Sequence, residues 1–126
     1  LTYREAGRLG EAIDLFEQVL TDRQRILGAD HPSTLNTRHN LAGAYESAGR
    51  VSEAITLYEQ VLTDRQRILG TDHPDTLKTR NNLAETYREA GRVDEAIDLF
   101  KQLLTDCKRV LDPGHPLTEQ VHLNLQ

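Results

Sequence analysis

The stretch NLAGAYESAGRVSEAITLYEQVL, residues 40–62, returns forty-two residues later as NLAETYREAGRVDEAIDLFKQLL, residues 82–104. The spacing extends over the whole chain. Laid under one another, residues 1–42, 43–84 and 85–126 align without a gap, so that Tyr3, Tyr45 and Tyr87 fall together. Ala6-Gly7-Arg8, Ala48-Gly49-Arg50 and Ala90-Gly91-Arg92 also coincide, as do the His-Pro pairs at 31–32, 73–74 and 115–116. The first two blocks are identical at 30 of 42 positions and the last two at 20 of 42, which makes the 126 residues a tandem array of three units.

Each unit holds two helical patterns. In the first, Leu35, Leu41, Ala42, Tyr45 and Ala48 lie along one side of a 3.6-residue helix. In the second, Ala54, Ile55, Tyr58, Val61, Leu62, Ile68 and Leu69 recur at steps of three and four, with Leu57 widening the stripe. Gly49 ends the first helix in a left-handed turn, Ser52 or Asp94 can cap the second, and Gly28 and Gly70 end it. Pro32 and Pro74 stand at the first helical position, with Asp30 and Asp72 just ahead, toward the positive helix end. The pattern predicts helices near 10–27, 33–48, 52–69, 75–90 and 94–111, with half-helices at 1–6 and 117–126. No strand alternation interrupts it. An all-α solenoid of antiparallel helix pairs, folded as a single repeat domain over 1–126, is the expectation.

Composition agrees with an array better than with one compact core: 37% of residues are hydrophobic, 5% aromatic, and there is no Trp or Met. No apolar run approaches the roughly 18–20 residues of a membrane span, so the chain reads as soluble and without a membrane partner. Beginning at Leu1, with no charged segment followed by an apolar one, it reads as a piece of a longer protein without a signal peptide. The net charge is −5, with 5 basic residues against 6, 6 and 8 acidic ones in the three blocks. No block has the basic surface on which nucleic-acid affinity rests. A single cysteine, Cys107, excludes an internal disulfide and suits the reducing cytoplasm.

Motifs of catalysis are missing. There is no phosphate-binding G-x-x-x-x-G-K-[ST], no H-E-x-x-H, no G-x-S-x-G and no cysteine pair. His31, His73 and His115 repeat one unit apart, about one helix diameter or roughly 10 Å, whereas metal ligands converge to about 2 Å. They are expected to shape the turn beside their prolines. Cys107 occupies the slot of Arg23 and Arg65, on a face that tolerates a long charged chain and late in its helix, which argues against an activated thiolate. No catalytic residue, metal site or cofactor is expected.

The pattern N-L-A-x-x-Y-x-x-A-G-R-x-x-E-A-I-x-L-[FY]-x-x-x-L resembles the tetratricopeptide repeat. Leu41-Ala42, Tyr45, Gly49, Ala54 and Tyr58 lie where that family keeps its packing residues. The eight extra residues per unit and the linker L-G-[AT]-D-H-P-[SD]-T-L resemble the 42-residue variant of kinesin light chains and of large bacterial signalling NTPases. The resemblance implies a right-handed superhelix whose concave face, lined by first helices, takes up peptides or partner segments. It also implies that the Asn before Leu-Ala, here Asn40 and Asn82, hydrogen-bonds the main chain of an extended ligand. An amide suits that role because it donates and accepts at once.

Away from the Leu41/Tyr45 stripe, the first helices carry Asn36, His39, Asn40, Gly43 and Glu46, and then Lys78, Asn81, Asn82, Glu85 and Arg88. Gly43 apart, these form the expected peptide-binding set. The carboxylate clamp of chaperone-type units is not reproduced, since only Lys78 fits it, and Gly43 and Glu85 stand where an Asn would be needed. Arg38 and Arg80, one turn before Leu41 and Leu83, must snorkel or pair, and Asp22, Asp64 and Asp106 are the expected partners. In the last half-helix, Val121, Leu123 and Leu125 form an apolar flank that a second molecule could cover head to tail. A protein-interaction module is the first reading. A regulatory or self-assembly segment of a larger signalling NTPase is the second, RNA binding and a partly engineered scaffold the remaining ones.

Overall fold

Six α-helices carry the chain in the computed structural model, which describes residues 3–126: α1 (Tyr3–Leu27), α2 (Pro32–Ser47), α3 (Val51–Leu69), α4 (Pro74–Glu89), α5 (Val93–Val110) and α6 (Pro116–Asn124). Among the described residues there is no strand. Helices α2 and α4 are the first helices of their repeats, α3 and α5 the second. The chain divides into two compact units, Leu1–Val61 and Leu62–Gln126, with α3 running through the boundary.

One turn links each first helix to its second. Gly49 and Gly91 take φ of 78° and 81°, where a side chain would be strained. The next residue's N–H then returns to a carbonyl one turn back, Arg50 to Tyr45 at 2.8 Å and Arg92 to Tyr87 at 2.9 Å. The arginine side chain follows its backbone. Its guanidinium lies over the same tyrosine ring, 4.5 Å from the Tyr45 centroid and 4.4 Å from that of Tyr87. Both arginines also make paired hydrogen bonds to a glutamate three residues on, Arg50 to Glu53 at 2.8 and 2.7 Å and Arg92 to Glu95 at 2.8 and 2.6 Å. The spacing Y-x-x-A-G-R-x-x-E therefore encodes one clasp. It displaces the expected caps: α3 and α5 begin at Val51 and Val93, Ser52 and Asp94 lie inside the first turn, and Arg92 at the N-cap makes no side-chain cap bond.

A second correction concerns α1. A break at Gly7 was expected to leave a half-helix at 1–6, but α1 is continuous from Tyr3 to Leu27, and residues 1 and 2 lie outside the described ones. Ala6-Gly7-Arg8 matches Ala48-Gly49-Arg50, so the difference is tertiary. Within the same stretch Gly10 stands where the later units have Ser52 and Asp94.

In the first unit, Ile13, Leu41 and Ala44 form a core against Phe16, Leu20, Tyr45 and Leu57. In the second, Leu77, Leu83, Ala96, Phe100 and Leu103 are buried. A polar clasp ties each second helix to the first helix that follows. Arg23 donates to the Ser33 carbonyl at 3.2 Å and to Thr37 Oγ1 at 3.1 Å, and Arg65 donates to the Asp75 carbonyl at 3.2 Å and to Thr79 Oγ1 at 2.8 Å. In the third repeat these slots hold Cys107 and Val121, both fully buried. Two expectations fail there. Cys107 does not lie on an open face, and Val121 is not part of an exposed flank, because α6 packs on α5 and needs an apolar pair where no arginine is present.

Arg80 is paired as expected. Its side chain is 5% exposed and meets the Asp106 carboxylate at 2.7 Å, with a further bond from Arg80 to the Thr71 carbonyl at 3.4 Å. Asp22 instead faces Arg25 at 3.7 Å on the surface, an arrangement worth little. The hydrogen bond from Arg80 holds the Asp106 carboxyl below the usual carboxylate range, against the upward push of burial. A folded-state value below the unfolded one means that this stabilisation is complete above the unfolded pKa. It is lost as pH falls through the folded value. Replacing Asp106→Asn leaves Arg80 buried without its counter-charge and is expected to cost about 3 kcal/mol at neutral pH. Thermal denaturation across the acid range should show the variant losing less stability on acidification than the parent. Parallel acid limbs would overturn this account of the pair.

Candidate functional site

The first helices start identically. His31, His73 and His115 hold extended backbone at the N-cap with Pro at the first helical position. Each ring Nδ1 accepts a hydrogen bond from the N–H two residues on, Ser33 at 3.1 Å, Asp75 at 3.1 Å and Leu117 at 3.0 Å. The imidazole thus does what a Ser or Asp cap does. It also fixes the phase of each first helix, and with it the direction of Asn36 and Lys78 one turn later. Among the described residues no group of three or more His, Cys, Asp or Glu is placed to hold a metal ion. Burial pushes the Cys107 thiol above its usual value, which disfavours the reactive thiolate.

On α2 the candidate residues separate. Asn36 and Asn40 are exposed and line, with Leu15, Phe16 and Val19 of α1, a cleft of about 390 Å³. Glu46 is half-buried. His39 is buried, with its ring edge-on to Tyr58 at a centroid distance of 5.4 Å. It supports α3 and presents no open edge to a ligand.

On α4, Lys78 and Arg88 are exposed, Asn82 and Glu85 half-buried, and Asn81 buried. Here the structure brings the candidates together around α6. Glu85 Oε1 accepts from Gln120 Nε2 at 3.2 Å, Asn124 Nδ2 at 3.1 Å and Asn81 Nδ2 at 3.4 Å. Arg88 donates to the Asn124 carbonyl at 3.0 Å and lies over Phe100, 5.5 Å from the ring centroid. In the second unit, therefore, these side chains hold the next first helix. Gln120 carried no signal in the sequence, since its slot holds Asn36 and Lys78 in the earlier repeats.

A second cleft of about 530 Å³, missed by the sequence reading, opens among α1, α2 and α3, with Leu20, Leu41, Tyr45 and Leu57 beneath Glu17 and Glu53. Tyr45, Glu17 and Glu53 at its rim are already engaged. Tyr45 donates to Glu17 at 3.0 Å, and Glu53 is bound by Arg50. Burial, and then this bond to Glu17, raises the Tyr45 phenol above its ordinary pKa. Gln60 is an exposed amide in this cleft, whereas the α1–α2 cleft carries two, Asn36 and Asn40, beside its apolar floor.

The comparisons agree with this geometry. The family model for the tetratricopeptide repeat matches residues 1–66, 48–109 and 80–125. Among solved structures, a kinesin-light-chain-like protein of Podosopora anserina with nearly identical TPR-like repeats is 35% identical over 98% of this chain, with a TM-score of 0.87. A single-substitution variant of that protein gives 35% identity over 98% and a TM-score of 0.88. BtubC (BKLC) from P. vanneervenii shares the fold at 22% identity, covering 94% of this chain with a TM-score of 0.84. The chain spans 58% of the first two of these chains and 48% of the third. No curated protein matches it significantly.

The α4–α6 network gives a direct test. Glu85→Ala removes the acceptor of three amide donors and should cost about 1–2 kcal/mol. Because a nine-residue helix is marginal by itself, the loss should concentrate in α6. Amide exchange across Pro116–Asn124 is expected to accelerate about tenfold while α4 and α5 stay protected. Unchanged exchange in α6 would mean that packing on α5 alone holds it.

Proposed function

The chain belongs to the tetratricopeptide-repeat family, and we propose that it is a non-enzymatic interaction module that takes up a peptide or helical segment of a protein partner against its first helices. Repeats of this family generally mediate protein–protein interaction. The observation that carries the finer reading is the α1–α2 cleft, where Asn36 and Asn40 flank an apolar floor of Leu15, Phe16 and Val19. Apolar lining with a few placed polar groups is what a recognition groove needs. The floor supplies area, and amides fix the ligand's backbone whatever its sequence.

Lys78, Asn82, Glu85 and Arg88 extend the candidate surface on α4, while His39 and Asn81 act from within by positioning their helices. The three repeats act as one domain over 1–126. With a net charge of −5 and no described helix long and apolar enough to cross a membrane, the partner is a protein and not a nucleic acid or a bilayer. Its place is the cytoplasm, where the lone thiol stays reduced. A second reading, a self-assembly or regulatory segment of a larger signalling NTPase, draws on Leu15 and Leu123, which stand exposed in the two units.

The test is recovery of partners on the immobilised chain. Asn36→Ala/Asn40→Ala removes two exposed amides, each worth about 1 kcal/mol to a bound backbone, so partner affinity should fall about thirtyfold with the melting temperature preserved. Equal recovery of every partner by parent and variant would overturn the groove assignment.

A further inference from the structure

The cleft of about 530 Å³ among α1, α2 and α3 is a second docking surface, separate from the α1–α2 groove, and we infer that it takes a basic amphipathic helix of a partner protein. Its lining lies between residues 17 and 60 and includes neither end of the chain. Leu20, Leu41, Tyr45 and Leu57 supply the apolar surface, and of these Leu20, Tyr45 and Leu57 are only half-buried.

The rim is acidic. Glu17 and Glu53 stand exposed on opposite walls. A shallower hollow of about 300 Å³, lined by Asp14, Glu17, Gln18 and Thr21, shares Glu17 and Thr21 with the cleft and adds a third carboxylate. The neighbouring cation is Arg50, and it is committed to Glu53 at 2.7 Å. Glu17 gives Oε1 to the Tyr45 hydroxyl at 3.0 Å and keeps its other oxygen for a ligand. Neither Asp14 nor Glu17 meets a cation at ion-pair distance among the described residues. In the sequence of the next repeat, Glu17, Leu20, Glu53 and Leu57 return as Glu59, Leu62, Glu95 and Leu99. Where that repeat departs it adds negative charge, with Asp94 and Asp98 in the slots of Ser52 and Thr56. Leucines below ask for apolar contact and carboxylates above ask for positive charge, so the complementary ligand carries both.

Hydrogen bonding selects its conformation. Thr21 and Thr56 donate their hydroxyl protons to their own helices, to the Glu17 carbonyl at 3.0 Å and the Ser52 carbonyl at 3.1 Å. Carboxylates only accept. The walls therefore offer acceptors in number and, in Ser52 and Gln60, few donors. An extended peptide would leave most of its carbonyls without partners there, whereas a helix satisfies its own backbone. Length agrees. The lining on α3 runs from residue 52 to residue 60, about 12 Å at the helical rise, or about two turns. Two apolar side chains one turn apart on the ligand can then lie between Leu20 and Leu57, with lysines or arginines on its flank directed at Asp14 and Glu17.

The probe for this site is a hydrocarbon-stapled helix with two leucines one turn apart and flanking lysines, and its control carries glutamates in place of the lysines. Added to the whole chain, the lysine probe should shift amide resonances at 17–21 and 52–60, and the glutamate probe should bind at least about tenfold more weakly. Asp14→Asn/Glu17→Gln keeps an acceptor for the Tyr45 hydroxyl and should weaken the lysine probe about tenfold while flattening its salt dependence. Thr56→Arg, at an exposed position that holds Asp98 one repeat later, should block the cleft by bulk and by charge with the thermal melt retained. Asn36→Ala/Asn40→Ala should leave the probe's affinity unchanged, which separates this cleft from the α1–α2 groove. Equal binding of the two probes overturns the inference. So does a lysine probe that is indifferent to the neutralised pair, that shifts residues 36–40 in place of 52–60, or that fails to bind at millimolar concentration.

Discussion

An alanine, an aromatic ring and a branched aliphatic residue at three- and four-residue steps form the buried stripe of α3 and of α5, and the rest of the structure answers to it. Ala54, Tyr58 and Val61 on α3, and Ala96, Phe100 and Leu103 on α5, are excluded from solvent. The alanine lets a first helix approach closely, while the ring fills the space beyond it. Helices of this length are marginal in water, so burial of this stripe, and not propensity, keeps them folded. No second helix can satisfy the requirement alone, which is why the fold exists as an array.

Chain reversal is the next requirement, and one side chain meets most of it. The glycine at 49 or 91 turns the backbone, and the arginine after it hydrogen-bonds back through its N–H, covers the tyrosine ring and engages a glutamate in the next helix. Both arginines are largely solvent-exposed, so their ion pairs add little by themselves. Their effect is orientational. By fixing tyrosine, turn and glutamate in one geometry they set the angle between the helices. That angle, with the histidine cap at the other end, decides which first-helix residues reach solvent.

Most of the helical architecture was legible because it is periodic. The exact 42-residue repeat located α2 to α5 within a few residues, the His-Pro pairs marked the starts of α2 and α4, and the Arg80–Asp106 pair followed from a charge recurring at an apolar slot. What failed was decided by tertiary context. Identical Ala-Gly-Arg tripeptides turn at 48–50 and stay helical at 6–8, and no local reading could separate them. The candidate site was read from one helical face, which placed His39 and Asn81 outward. A first helix in an array is covered by more than one neighbour, so its solvent sector is narrower than a two-sided helix suggests, and both residues are buried. Asn36, Asn40, Lys78 and Arg88 fall within that narrower sector and stay exposed.

The third repeat shows how such a chain changes chemistry without changing fold. In the first two repeats a second-helix arginine reaches a threonine hydroxyl and a carbonyl on the next first helix; in the third, Cys107 and Val121 fill the same two slots and are both fully buried. Changing one partner alone would strand either a charge or a hydroxyl in the interior, while changing both exchanges one satisfied contact for another. The buried asparagine of α4 likewise gives way to Leu123 on α6, and the buried Leu77 to Glu119, with the helix start and its histidine cap preserved. Position in the repeat therefore fixes where a side chain is held, and the residue placed there fixes what it can meet. Recognition in this family has to be read from those substitutions, because the histidine-capped helix start that carries them is the same at α2, α4 and α6.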